Sequence, residues 1–368
     1  MEKFSSFARS SMLIFLFLIS LVYVQAAERG PYLSNVTQHA ITIAWRVKKP
    51  GISIVEFRKV NTNRWSRITL ESTKLEQSVR LTGFLPNTSY EYQIDTFDEN
   101  KKLCFQGKGI FKTAVKSGMP FNFIAYGDNR TGYEIHRRLV EHMLREEDIR
   151  FIINTGDLVN SGYDMRSWDE FFEITKPLLN HIPFCPCPGN HEGDGKEYLK
   201  NFYLPGNERY YSFWYSDILF IALNTNEAFD DWSTQYKWFW RTLKNGLKKK
   251  PAYVVAFFHH PPFSDGPHGD TEEVKRYLVP LIERYKVVLV LSGHDHIYEH
   301  FLIGNTHYIV TGGGGAPLYR VNKTSRGIKA ISAHHYIVFE YTGKTLRAIV
   351  KDVDGAIIDE FAIPRRSY

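Results

Sequence analysis

Phe121-Asn122-Phe123-Ile124-Ala125-Tyr126-Gly127-Asp128-Asn129-Arg130 decides the fold: a short, mostly apolar strand that ends in a glycine and a carboxylate. A helical run from Tyr133 to Glu147 follows, and the pattern then repeats as Arg150 to Asn154 capped by Gly156-Asp157-Leu158. Asp128 and Asp157 are thus one strand-helix-strand unit apart, and the two carboxylates are expected to end adjacent parallel strands. Three more polar clusters stand where buried strands end: Gly189-Asn190-His191-Glu192, His259-His260-Pro261 and Gly293-His294-Asp295-His296. Carboxylate, amide oxygen and imidazole bind small divalent cations, and open α/β sheets place their ligands at the carboxyl ends of strands.

Outward from this stretch, Trp168 to Leu179, Gln235 to Leu247 and Val274 to Arg284 read as helices, interleaved with strands at Tyr253 to Phe258 and Val287 to Leu291. Thr306 to Val310 and His335 to Asp359 are strand-rich and are expected to close the sheet layer. Upstream the period changes. Between Gly30 and about Thr113, alternating runs such as Ile41 to Trp45, Ile52 to Phe57 and Tyr90 to Ile94 are separated by turn residues, the pattern of a small all-β sandwich. Val115 to Pro120 reads as the linker. The expected organisation is a signal peptide over 1–26, a β-sandwich over 27–115 and an α/β domain with layered sheets flanked by helices over 120–368.

Lys3 and Arg9, the apolar run from Met12 to Val24 and the small pair Ala26-Ala27 form the three parts of a secretory signal. The run is short for a membrane span, so its removal is expected, with a retained anchor as the alternative. No later stretch approaches spanning length, which predicts a secreted or periplasmic protein without a transmembrane segment after signal removal. The formal charge of +6 suits anionic substrates, but no long Lys/Arg stripe is present and nucleic acid is not an expected partner. Three cysteines are too few for a disulfide framework. Cys185-Pro186-Cys187 reads as packed thiols, a local disulfide or a metal-binding pair.

Two divalent cations within about 4 Å let one activate water while both clamp the oxygens of a phosphoryl group, and an anion between them relieves their repulsion. Asp157, ending a central strand, is the expected bridge. The order of the five motifs resembles the calcineurin-like metallophosphoesterases, and the preceding sandwich brings it closest to the purple acid phosphatase branch. Arg29-Gly30-Pro31-Tyr32-Leu33 and Thr311-Gly312-Gly313-Gly314-Gly315-Ala316-Pro317-Leu318-Tyr319 extend the resemblance over nearly all of the chain after the signal. Leu85-Pro86-Asn87-Thr88-Ser89-Tyr90 resembles the tyrosine corner of fibronectin type III domains, with Trp45 in the place of their buried tryptophan. The resemblance implies that Asp128 and His296 hold a first metal, that Asn190, His259 and His294 hold a second, and that Asp157 is shared. It also implies that His191 donates to a phosphoryl or leaving-group oxygen, with Glu192 orienting it.

Two positions depart from that pattern. Related enzymes complete the first metal with a His two residues after the first Asp or a Tyr three residues after the bridging Asp, and this chain has Arg130 and Asn160 there. Water, Asn160 or Tyr163 would have to complete that site, and Mg or Mn chemistry suits it better than a ferric tyrosinate. Arg130, whose planar fork matches a phosphoryl group, is expected to bind substrate together with Asn129 and His260; a salt bridge from Arg130 to Glu134 is the alternative. Duller readings stand beside the others: Asp128 and Asp157 as turn residues, His260 as a structural histidine turned away from His259, and Gly312 to Gly315 as loops passing closely rather than an anion cradle. His300, His307, His334 and His335 read as surface or core histidines. The expected function is a secreted dinuclear-metal phosphohydrolase (Fe, Zn, Mn or Mg) that cleaves small phosphate esters by in-line attack of a metal-bound hydroxide, monoesters first. A phosphodiesterase acting on nucleotides or lipid head groups, or a non-catalytic surface or adhesion protein with a degenerate site, are the alternatives.

Overall fold

Seven strands precede Phe121 among the described residues, which are 28–321 and 326–365 of a computed structural model; the signal expected over 1–26 lies outside them. They are β1 (Arg29–Ser34), β2 (Ala40–Arg46), β3 (Gly51–Lys59), β4 (Ser66–Ser72), β5 (Glu76–Thr82), β6 (Ser89–Phe97) and β7 (Leu103–Lys112). Two antiparallel sheets, β1-β2-β5 and β4-β3-β6-β7, give the sandwich-like region that the alternating pattern predicts. Trp45 is fully buried between them, and the Tyr90 hydroxyl accepts the Leu85 N–H at 3.0 Å, which pins the turn before β6.

Beyond Pro120 come β8 (Phe121–Tyr126), α1 (Tyr133–Met143), β9 (Ile149–Asn154), α2 (Met165–Leu179), β10 (Phe184–Pro186) and α3 (Lys196–Asn201). Then follow β11 (Tyr211–Tyr215), β12 (Ile218–Ala222), α4 (Thr234–Leu247), β13 (Tyr253–Phe257), α5 (Glu272–Tyr277), α6 (Val279–Arg284) and β14 (Leu289–Ser292). The chain ends through β15 (Tyr298–Ile303), β16 (Thr306–Thr311), β17 (Lys329–Ile331), β18 (His335–Tyr341), β19 (Leu346–Asp352) and β20 (Ile357–Ile363). These strands form a six-stranded sheet, β10-β9-β8-β18-β19-β20, and a seven-stranded sheet, β11-β12-β13-β14-β16-β15-β17.

Side-chain alternation builds the layers. Along β12, Ile218, Phe220 and Ala222 enter the core between the sheets, while Leu219 and Ile221 pack on the opposite face with Phe239 and Leu243 of α4. Phe123 of β8 meets Phe220 across the inter-sheet core at 5.3 Å, and Tyr126, on the other face of β8, reaches His136 of α1. Because β8, β9 and β10 are parallel to one another, as are β12, β13, β14 and β16, every crossover returns the chain to the same end. All five polar clusters therefore collect along one rim.

Two helices differ from expectation. The run expected from Val274 to Arg284 breaks at Leu278, because Pro280 has no N–H to donate and its ring crowds the preceding turn. The helix expected to reach Glu147 ends at Met143, where Glu146, Glu147 and Asp148 would place negative charge at a helix C-terminus. The thiols are settled as packed: Cys185 and Cys187 are buried and free.

Arg29 ties the sandwich to the α/β region. Its buried guanidinium donates to Asp169 Oδ1 (2.7 Å), Asn201 Oδ1 (2.8 Å) and the Met165 carbonyl (3.2 Å), and Tyr32 beside it donates to the Asn201 carbonyl. The Tyr32 ring packs on Phe172 of α2 at 4.8 Å. Arg29→Ala leaves Asp169 and Asn201 without their donor and is expected to cost about 2 kcal/mol. The check is the urea midpoint: it should fall while metal content is unchanged, and an unaltered midpoint would show that this junction adds nothing to stability.

Candidate metal centre

Asp128 and Asp157 follow β8 and β9, and His259 and His294 follow β13 and β14, so the rim of one sheet faces the rim of the other. Asp128, Asp157 and His294 all adopt positive φ (56°, 54° and 71°), a conformation unusual for residues with side chains and concentrated at functional sites. Glycines make the approach feasible. A Cβ on Gly189 would stand 2.2 Å from Asp157 Oδ1, and one on Gly293 would stand 2.2 Å from Asp128 Oδ2.

The tautomers follow from the partners. His259 Nδ1 lies 2.9 Å from the Thr155 carbonyl oxygen, which only accepts, so Nδ1 carries the proton and Nε2 the lone pair. That Nε2 faces Asn190 Oδ1 at 3.0 Å and Asp157 Oδ1 at 3.4 Å, and His294 Nδ1 faces the same Asn190 oxygen at 3.1 Å. The His259 Nε2 lone pair therefore faces two oxygens, Asn190 Oδ1 and Asp157 Oδ1, with no hydrogen between them, and His294 Nδ1 lies 3.2 Å from the same nitrogen. Donors bound to one ion at about 2.1 Å stand about 3 Å apart where their bonds meet at right angles, so the set fits a divalent cation. His296 is oriented in the same manner, its Nδ1–H donating to the Pro317 carbonyl at 2.8 Å.

Burial keeps these rings neutral, as metal ligands must be. Desolvation pushes His259 and His260 down to about 3, His294 to about 2 and His296 to about 4. Desolvation, with the Asp157 charge beside it, pushes the Asp128 carboxyl well up, so its ionised form calls for a cation. Both Asp128 oxygens accept the His294 N–H at 3.0 Å.

Asp128, Asp157, Asn190, His259, His294 and His296 are brought together, with His191 at the mouth. The His191 ring donates from Nδ1 to the Asn160 carbonyl (2.7 Å), and its Nε2 is 3.8 Å from Asp157 Oδ2. His260, expected to turn away from His259 if structural, instead faces the cluster with its ring 4.6 Å from that of His294. The strand has already ended at Phe257, so strict alternation no longer applies.

Two residues expected at the chemistry are absorbed by the framework. Asn129 is buried, donating to the Leu158 carbonyl (2.9 Å) and accepting from Asn154 Nδ2 (2.9 Å), so it braces β8 against β9 and presents nothing to a substrate. Glu192 does not bond the His191 ring. Its buried carboxylate accepts the N–H groups of Gly189 (2.6 Å), Leu158 (2.8 Å), Asp157 (2.9 Å) and Val159 (3.3 Å), stapling the Asp157 loop to the Asn190 turn. Burial and the Asp157 charge push Glu192 up to about 8 against those amides, which favour the anion.

Arg130 does not pair with Glu134, whose partner is Arg137 at 3.7 Å; it reaches Asp157 Oδ2 at 3.3 Å and His296 Nε2 at 3.4 Å. Tyr163 is exposed, and its hydroxyl accepts the Asp194 N–H at 3.1 Å. The glycine run lets loops pass closely: the N–H groups of Gly312 and Gly314 are given to the Ile297 and Gly127 carbonyls at 3.2 and 2.9 Å. His300, His307 and His335 are buried and His334 is half-buried. Two residues at the site carried no role in the sequence reading. His268 donates from Nδ1 to Asp295 (2.8 Å) and lies 4.2 Å from the His294 ring, while Tyr319 stacks on His296 at 4.2 Å. His268 sits in the turn-rich stretch Ser264 to Asp270, whose Gly, Pro and Asp mark a loop but not its direction.

This layered fold, with Asp, Asn and His converging at one rim, is that of a metallophosphoesterase domain. Residues 121–298 match the family model described as calcineurin-like phosphoesterase. Among curated relatives, probable purple acid phosphatase 20 of Arabidopsis thaliana is 28% identical over 235 residues, 59% of this chain and 53% of the relative. The purple acid phosphatase of Glycine max is 21% identical over 333 residues, 80% of this chain and 71% of the relative. The chain spans about half the length of the first two curated relatives it matches. A solved purple acid phosphatase from yellow lupin (Lupinus luteus) seeds superposes over 93% of this chain and 75% of its own, with a TM-score of 0.82 at 18% identity, a likeness of fold.

A pH dependence follows from the neutral rings. His136 and His259 are buried with pKa values pushed by desolvation to about 3, whereas unfolded histidines protonate near 6.5. Between those values the unfolded chain binds more protons, so the metal-free fold should lose stability as pH falls from about 6.5, by up to about 1.4 kcal/mol per pH unit for each such group. Asp128 and Glu192, shifted upward, act in the opposite sense above about pH 4.3, but the depressed imidazoles outnumber them. Urea midpoints of chelator-treated protein should fall from pH 7 to pH 5; a rise would mean that the carboxyls dominate.

Proposed function

We propose that this chain is a secreted, metal-dependent phosphohydrolase acting on small phosphate esters, monoesters before diesters. The convergence of imidazole nitrogens with the Asn190 and Asp157 oxygens carries the reading, since donors of these types at these separations suit a divalent cation. Asp157, Asn190, His259 and His294 are the proposed ligands of one divalent ion, and Asp128 and His296 lie where a second is expected. A bound divalent ion polarises a phosphoryl oxygen and lowers the pKa of a water. Among the protein's own groups, His191 gives its Nδ1–H to the Asn160 carbonyl, which leaves Nε2 as the nitrogen that gains and gives up a proton, and in its doubly protonated form it is the proposed donor to the leaving oxygen. Arg130 turns its fork toward the same space and is the proposed clamp on the phosphoryl group. His268, held by Asp295 beside His294, offers a second imidazole there.

The proposed domains are a removed signal over 1–26, a fibronectin III-like sandwich over 27–115 and the phosphoesterase domain over 120–368. The paired sheets, buried Trp45 and the Tyr90 hydroxyl support the second. No described helix is long and apolar enough to cross a membrane.

Asp157→Asn or His259→Ala should reduce hydrolysis of p-nitrophenyl phosphate by more than a hundredfold with little change in thermal midpoint, because residues at strand ends carry function while the core carries stability. Activity within about tenfold of wild type at saturating metal would refute the ligand set. Faster turnover of bis(p-nitrophenyl) phosphate would favour a diesterase, and metal-loaded protein inert toward both would favour a binding protein.

Colour gives a separate check. Asn160 stands three residues after Asp157, and the Tyr163 hydroxyl is turned to Asp194, so no phenolate is presented to the cluster from these positions. Iron-loaded protein should lack a strong visible charge-transfer band. A band abolished by Tyr163→Phe would show that this tyrosine moves in to bind iron.

A further inference from the structure

The site's donors form two unequal groups. His259 Nε2 lies 3.0 Å from Asn190 Oδ1 and 3.4 Å from Asp157 Oδ1, and His294 Nδ1 lies 3.1 Å from that Asn190 oxygen. Asp128, His296 and the second Asp157 oxygen do not close in the same way. Asp128 Oδ1 is 3.8 Å from His296 Nε2, and between this group and the solvent stands the Arg130 guanidinium, 3.3 Å from Asp157 Oδ2 and 3.4 Å from His296 Nε2. Because His296 Nδ1–H is committed to the Pro317 carbonyl, Nε2 holds a lone pair and Arg130 donates to it. The Arg130 side chain is only 15% exposed, so it belongs to the wall of the site and not to its rim.

A guanidinium offers donors alone and keeps its charge at any ordinary pH, so it partners the atoms of a metal site without being able to join them as a ligand. A divalent ion on Asp128, Asp157 and His296 would have to displace it and then lie beside it, like charge against like in a poorly solvated space. Nothing compensates for that displacement. Arg130 and Asn160 occupy the positions where the family resemblance leads one to expect a His or a Tyr, and the Tyr163 hydroxyl is engaged by Asp194.

We infer that this chain holds a one-metal centre. A single divalent cation sits on Asp157, Asn190, His259 and His294, and the Arg130 guanidinium stands in for the second metal, neutralising the Asp128 and Asp157 pair and presenting N–H groups to a phosphoryl oxygen. The inference rests on the metal-dependent phosphohydrolase reading proposed above and changes its metal count from two to one.

The test is metal stoichiometry on the full-length protein, loaded with excess Mn(II) or Zn(II), desalted, and measured by elemental analysis and native mass spectrometry. Wild type should retain one equivalent, and its Mn(II) form should give the isolated six-line electron paramagnetic resonance signal. Arg130→His removes the fixed cation and places an imidazole two residues after Asp128; it should take two equivalents and show an exchange-coupled pair. Arg130→Ala, for use should the His variant misfold, should bind inorganic phosphate about tenfold more weakly. Two equivalents and a coupled spectrum in wild type, with phosphate-ester turnover, would overturn the one-metal centre while leaving the phosphohydrolase reading in place. No bound metal and no turnover would overturn both. One equivalent in both wild type and a folded Arg130→His, or unchanged phosphate affinity in Arg130→Ala, would overturn the role given to Arg130.

Discussion

Lone pairs that meet without a proton between them are the constraint on which the rest of this structure depends. His259 Nε2, Asn190 Oδ1 and Asp157 Oδ1 are all acceptors, the nitrogen lying 3.0 Å from the first oxygen and 3.4 Å from the second. Water cannot relieve such a set as well as a cation does, and the polypeptide bears costs to maintain it. Asp128, Asp157 and His294 adopt left-handed backbone, and Gly189 and Gly293 stand where any side chain would collide with a carboxylate. Those features hold the acceptor atoms of the cluster at fixed separations.

The framework that resists collapse of this cluster is largely made of backbone amides and buried carboxylates. Glu192 gathers four N–H groups from two loops, and Asn129 bonds β8 to β9 from within. The two sheets are joined at the site itself: the His294 N–H donates to Asp128, His259 Nδ1–H donates to the Thr155 carbonyl, and the Ala316 N–H donates to the Asp128 carbonyl at 2.8 Å. On the far side of the site, the Ser264 hydroxyl contacts both Asp295 (2.5 Å) and Glu299 (2.8 Å). A hydroxyl has one hydrogen to share between them, and desolvation pushes Glu299 up to about 7. That chain of bonds fixes Asp295, which in turn holds His268 against His294.

Arg130 changes the electrostatic character of the rim. With Asp128 and Asp157 nearly devoid of solvent, some positive charge has to lie beside them, and a residue in the wall supplies part of it permanently. The relatives matched here share the fold at 21 to 28% identity in sequence, a range in which the loops at strand ends are free to differ. Arg130 and Asn160 fall in those loops, where side chains can change without disturbing the strands that carry them.

The sequence by itself determined the layered α/β architecture, the upstream sandwich and the membership of the cluster, because these depend on local periodicity and on polar residues placed at strand ends. Parallel crossovers bring such ends to one rim whatever the details of packing. Tertiary structure decided what each side chain does there. Asn129 and Glu192 stand inside ligand-like motifs, yet their amide and carboxylate groups are consumed by Asn154, Leu158 and the loop amides, partners that lie on other strands and loops. His260 turns toward His294 because its strand stops early, and His268 arrives from a loop whose direction no periodic pattern encodes. Arg130 had Glu134 within reach along the chain but is held instead by Asp157 and His296. Periodicity is a property of neighbours in sequence, whereas the direction of a charged group in a buried site is set by the field of residues that only folding brings together.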